Sequence, residues 1–150
     1  MEDRFRALLQ RFIRELGVLS PDRTPCGKAL APSEAHALMV LRAAGDGLRQ
    51  GELAARLGLD KSSASRLVAR LRDRGHLGDA RGDGDGRARP VRLTARGERL
   101  AAELDGASRD LFAALLGGIP AGRRRDVIAA LDELVGSLER LTLRRPEDEP

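Results

Sequence analysis

The chain is poor in aromatic residues: it has no tryptophan, no tyrosine and three phenylalanines, and it has a single cysteine. One cysteine cannot close an internal disulfide, so a small secreted scaffold held by disulfides is excluded. With only two histidines besides, acid–base catalysis and metal binding have few candidate groups. Long apolar runs are also missing. The longest uncharged stretch, 111–122, is about 12 residues and holds three glycines and a proline, short of the roughly 18–20 that span a bilayer. The N-terminus, MEDRFRALLQRF, is charged from its second residue and has no apolar signal core. These absences point to a soluble, cytoplasmic protein with no membrane partner. At 41% hydrophobic and 33% charged residues, the composition is that of a globular chain rather than a disordered one.

Charge is present in both signs but is unevenly placed. The chain carries a net +4, while the stretch from Lys61 to Arg99 alone holds eleven basic and five acidic residues, a net +6, so the rest is slightly acidic. A basic middle between acidic arms is the footprint of a polyanion-binding module. Lysine occurs only at 28 and 61, so the basic groups are almost all arginine, whose planar fork suits phosphates and guanine edges. Phe5, Phe12 and Phe112 all lie outside the basic stretch. Readers of single strands and RNA loops stack bases on aromatic rings, so their absence here favours a double-helix reader.

Apolar spacing predicts a mainly helical protein with one small β-hairpin. Phe5, Leu8, Leu9, Phe12, Ile13 and Leu16 mark an amphipathic helix over about 2–19. Three prolines and a glycine make 20–32 a loop. Ser33 is the expected N-cap of a second helix to about Ala44, with Ala35, Leu38, Met39 and Leu41 inward. Short helices over 49–57 and 61–74 follow, meeting at Gly58 and capped by Asp60. The segments 76–81 and 87–93, separated by Gly-Asp-Gly-Asp-Gly, read as a hairpin. Thr94 caps a long helix to about Leu116, with Leu100, Leu104, Ala107, Leu111 and Leu115 on one stripe. A last helix over about 121–143 aligns Ile128, Leu131, Leu134, Val135, Leu138 and Leu141.

The stretch QGELAARLGLDKSSASRLVARLRDR, residues 50–74, carries the function. Leu53, Leu57, Leu59, Ala64 and Leu67 are spaced to build a mini-core across a turn at Gly58, as a helix-turn-helix requires. On the second helix Ala64, Leu67, Val68 and Leu71 face inward. The opposite face holds Ser62, Ser65, Arg66 and Ala69, with Ser63 and Arg70 at its sides. Small hydroxyls let the backbone approach a major groove, and an arginine there reaches a guanine or a phosphate. Ser62, Ser63, Ser65, Arg66 and Arg70 are therefore the expected DNA contacts of this helix. The hairpin adds a wing whose Asp85, Arg87 and Arg89 are candidates for an adjacent minor groove. The pattern Asp83-Gly-Asp85-Gly is not a calcium loop, because the first and last ligand positions, 81 and 92, are arginines. No P-loop, dinucleotide-binding or nucleophile–base arrangement is present, so no enzyme is read and no cofactor is expected.

The run from Leu53 to Gly97 resembles the multiple-antibiotic-resistance regulator (MarR) family. The resemblance is carried by the LGLDKSSASRLVARL core and by a wing holding Asp85, Arg87, Val91, Leu93, Thr94 and Gly97. It implies one domain over 1–150, with a winged helix-turn-helix at about 33–93 and dimerisation helices at about 2–19 and 94–143. It also implies a homodimer on a pseudo-palindromic double-stranded operator and a repressor released by a small-molecule effector. Phe12 and His36 are the candidate lining of the effector pocket. Redox-sensing relatives carry their cysteine in the first helix; here Cys26, in the following loop, is the candidate redox residue. Zinc-sensing relatives draw ligands from the region of Cys26, Glu34 and His36 but add histidines on the fifth helix, which this chain lacks, so no metal site is read. The competing reading is a winged-helix architectural or protein-interaction module without sequence preference.

Overall fold

The computed structural model describes residues 1–79 and 90–142, and Asp85, Arg87 and Arg89 lie outside them. The element order is α1 (Glu2–Leu16), α2 (Pro32–Ala44), α3 (Gln50–Leu57), α4 (Lys61–Asp73), β1 (Leu77–Asp79), β2 (Val91–Leu93), α5 (Ala95–Gly117), a 3-10 turn (Ala121–Arg123) and α6 (Arg124–Thr142). The chain divides into two compact units, 1–109 and 110–150.

Helix ends follow backbone chemistry more closely than the apolar stripes do. α1 lies within the expected stretch and stops at Leu16, because Gly17 turns left-handed at φ 77° and closes on Arg14 O. The expected cap of α2 at Ser33 is corrected: the helix starts two residues earlier, with Pro32 as its first residue and Ala31 as N-cap. Proline is pre-set for that position and lacks the N–H that a cap would satisfy. At α3 the Glu52 carboxylate accepts the Arg49 N–H at 2.8 Å.

The core of the first unit lies where α2, α3, α4, the hairpin and the start of α5 meet. Leu38, Leu41, Leu53, Leu67, Leu71, Val91 and Leu104 are fully buried there. β1 and β2 pair antiparallel in the register Leu77 with Leu93 and Asp79 with Val91. Leu48 extends this sheet by an isolated bridge, exchanging hydrogen bonds with Val91 at 3.1 and 2.8 Å. The segment between α2 and α3 therefore ties the helix-turn-helix to the wing. Arg92 strengthens that tie by donating from Nε to Asp46 O at 2.7 Å.

The wing base is joined to α5 by close backbone approach. Thr94 donates its hydroxyl to Gly75 O at 2.7 Å and accepts the Gly97 N–H at 3.1 Å, which caps α5. Gly97 lies so near His76 that an added Cβ would stand 2.1 Å from the His76 carbonyl oxygen. Further along α5, Arg42 of α2 holds Asp105 at 2.8 Å. By contrast, α1 has no buried residue, and Phe5, Leu8, Leu9 and Phe12 are exposed. In the second unit Phe112, Ile128, Leu131, Val135, Leu138 and Leu141 are exposed as well.

Two glycines of α5 separate packing from propensity. Gly97→Ala forces a carbonyl out of contact range and is expected to lower stability by about 2 kcal/mol or more. Gly106→Ala, which meets no atom within 4 Å, is expected to raise it by about 0.5–1 kcal/mol. Urea unfolding followed by circular dichroism measures both; equal shifts for the two variants would refute the close approach at Gly97.

Candidate nucleic-acid interface

The geometry of α4 begins at its cap. Asp60 accepts the Ser63 backbone N–H at 2.8 Å through Oδ1 and the Ser63 hydroxyl at 2.7 Å through Oδ2. These bonds hold the Asp60 carboxyl below its ordinary range, with a smaller contribution from Arg66. Arg66 in turn donates from Nη2 to Ser63 Oγ at 3.3 Å. Asp60, Ser63 and Arg66 thus form one chain of bonds along the first turn and a half. Ser63 serves as cap and support, while Arg66 is aimed by it.

Ala64, Leu67, Val68 and Leu71 are buried, as the spacing predicts. Ser62, Ser65, Arg66 and Ala69 are exposed together on the opposite side, making a short face with small side chains and one guanidinium. Ser63 is only partly exposed. Arg70 is placed differently from the rest of the expected set. Its Nε donates to Oε1 of Glu34 at 3.1 Å, and Arg74 donates from Nη1 to Oε2 at 2.7 Å. Glu34 is 2% exposed. Sequence reading missed this pair of contacts. The available signal was the spacing of Arg70 and Arg74, one helical turn apart on a flank of α4 next to an α2 that begins with an acid.

His76 closes the far end of the interface, where α4 meets β1. It is buried, and its Nδ1 has no hydrogen-bond partner among the described residues. Burial pushes its imidazole below the ordinary histidine value; Arg96 and Arg74 push the same way, and Glu34 opposes them.

The other expected site residues do not come together. Phe12 and His36 are both exposed. A cavity of about 450 Å³ lies instead along Met39, Arg42, Ala43, Asp105 and Arg109, with Asp105 bonded to both arginines. Cys26 is half-buried against the core, its Sγ 3.2 Å from Thr24 Oγ1. Among the described residues no three His, Cys, Asp or Glu side chains are grouped as metal ligands, and no helix is long and apolar enough to cross a membrane.

Residues 30–88 match the MarR family by sequence profile. No curated protein matches the chain in a sequence search. Among solved structures, the chain is similar to the PcaV transcriptional regulator from Streptomyces coelicolor, at 25% identity and TM-score 0.67, covering 92% of this chain and 96% of that one. It is similar in fold to the S. aureus MepR–DNA complex, at 21% identity and TM-score 0.71, with 89% and 97% covered. PcaV in complex with its natural ligand is matched at 24% identity and TM-score 0.59, with 89% of each chain covered.

The lowered value of His76 gives a pH dependence of defined sign. The folded state resists protonation that the unfolded chain accepts, so this contribution is full above about pH 6.5 and is lost as pH falls toward the folded value. In a His36→Gln background, which removes the other histidine, urea stability is expected to decline from pH 7.5 to 5. The slope should not exceed about 1.4 kcal/mol per pH unit. Adding His76→Gln should flatten it; an unchanged slope would mean that His76 does not titrate in this window.

Proposed function

The chain carries a MarR-family winged-helix segment at residues 30–88, and from that premise we propose that it is a dimeric, sequence-specific regulator of transcription acting on double-stranded DNA. The observation that carries the reading is the exposed face of α4. Ser62, Ser65, Arg66 and Ala69 stand opposite four buried residues on a helix whose first turn is capped and rigid. Small residues admit the helix to a major groove, the helix N-terminus adds partial positive charge near phosphates, and Arg66 supplies the fork that reads guanine. Ser63 and Arg70 act in this reading as supports. Arg87 and Arg89, with Asp85 beside them, are assigned to the minor groove on sequence alone.

Homodimerisation is the natural use of the apolar stripes. α1 exposes Phe5, Leu8, Leu9 and Phe12, and α6 exposes Ile128, Leu131, Val135 and Leu138. Isolated amphipathic helices do not leave such stripes in water without a partner. A two-fold dimer places its two α4 helices in successive major grooves of a pseudo-palindrome, roughly 34–36 Å apart. Repression relieved by a small effector fits a cavity between α2 and α5, since a ligand that prefers another α2 position changes that spacing. The solved PcaV complex with its natural ligand and the MepR–DNA complex support this reading by likeness of fold.

Fluorescence anisotropy tests it, using a duplex selected by the protein from a random pool and a scrambled duplex, across a salt series. A preference of about 10³-fold or more is expected. Arg66→Ala should weaken binding to the selected duplex by about 1–3 kcal/mol and leave the scrambled duplex nearly unaffected. Light scattering should return twice the chain mass. Equal, salt-steep binding to both duplexes would instead favour an architectural module.

A further inference from the structure

Glu34 is a nearly fully buried carboxylate on α2, away from the face that the preceding reading presents to DNA. Both of its oxygens are held by arginines of the neighbouring helix end, Arg70 Nε at 3.1 Å and Arg74 Nη1 at 2.7 Å. Arg66, Arg70 and Arg74 follow one another at intervals of four residues, so they form one ridge along α4 and its C-cap. The two clamped side chains are about half exposed, at 49% and 52%, which places them at the edge of solvent rather than in the core.

A buried carboxylate is a poor choice if stability is all that is required. Desolvation offsets much of the attraction in such a pair, and apolar residues of similar volume often hold a structure as well. What the carboxylate supplies is geometry and charge control. Two charge-assisted bonds from one rigid site fix where the flank of α4 sits on α2. They also engage two guanidinium groups that stand next to the reading face. Non-specific DNA binding is essentially a sum of phosphate contacts, so each loose arginine beside that face strengthens binding to every sequence alike.

We propose that Glu34 is a positioning and specificity residue for DNA recognition. It seats α4 on α2 and withholds Arg70 and Arg74 from phosphates, so that Arg66 and the serines decide which DNA is bound. This rests on the DNA-reading function proposed above.

The test uses full-length protein on the selected and scrambled duplexes over a salt series. Glu34→Gln keeps the shape but removes the charge, and it replaces one of the two accepting oxygens with an amide NH2 that cannot accept from an arginine. Its affinity for scrambled DNA is expected to rise several-fold, and its salt slope should steepen by about one to two for each recognition helix. Its preference for the selected duplex should fall at least tenfold. The double variant Arg70→Gln/Arg74→Gln should leave the slope on scrambled DNA unchanged while lowering the preference. A folded Glu34→Gln with wild-type slope and preference overturns the inference. So does a shallower scrambled-DNA slope in the double variant, because that places both arginines on phosphates in the wild type. If Glu34→Gln does not fold, the double variant decides alone. Wild-type protein that shows no preference overturns the DNA-reading function itself, and the inference with it, before any variant is compared.

Discussion

The clamp of Glu34 on Arg70 and Arg74 is the constraint on which the placement of α4 against α2 depends. Apolar packing places α4 against α2 and α3 through Ala64, Leu67, Val68 and Leu71, all fully buried. Dispersion and burial are not directional. Hydrogen bonds to a buried, immobile carboxylate are directional, and these reach the helix at two points one turn apart. The cap at Asp60 fixes the other end of the same helix, and the Ser63 hydroxyl passes that order on to Arg66. Both ends of a 13-residue helix are thus fixed by carboxylates, one exposed and one buried, leaving its outer face unencumbered.

The hairpin is held by a different device, close approach of backbones. Gly47, at φ 88°, has room for no Cβ, since one would stand 2.7 Å from Val91 O, and Gly97 meets His76 O at shorter range still. The two glycines bring the α2–α3 segment and the start of α5 against opposite ends of the wing base. Leu48, Val91 and Leu77 then bury their side chains in the common core. Among the described residues the pairing of Leu77–Asp79 with Val91–Leu93 is anchored by an isolated bridge, a threonine cap and a helix start.

Much of this was legible in the sequence, and the parts that were not share a cause. The helix-turn-helix, its inward residues Ala64, Leu67, Val68 and Leu71, the Asp60 cap and the presence of strands at Leu77–Asp79 and Val91–Leu93 follow from local periodicity and turn chemistry. Local rules also misplace what they govern loosely, as with Ser33, where the preceding proline takes the first helical position. The Glu34 clamp, the Leu48 bridge and the Arg42–Asp105 pair join residues from 36 to 63 positions apart, and no local pattern encodes such a distance. The same holds for Arg70. By angle on a helical wheel it belongs beside the reading face, and only a carboxylate contributed by another helix turns it aside.

Burial is distributed in a way that bears on function. Among the described residues every buried side chain belongs to residues 24–104, and neither α1 nor α6 buries one. The winged module therefore has its own core, whereas the arms hold their apolar stripes exposed. Under the dimer proposed above, covering those stripes is favourable by roughly 25 cal/mol for each Å² of apolar surface removed from water. Because that stabilisation exists only in the assembled state, the order of the arms is coupled to protomer concentration while the reading helix is formed beforehand. Within the first unit the Arg42–Asp105 pair joins α2 to α5 at 2.8 Å, so under the proposal above a ligand seated beside it acts on a contact between two helices of the module rather than on the cap or core of α4.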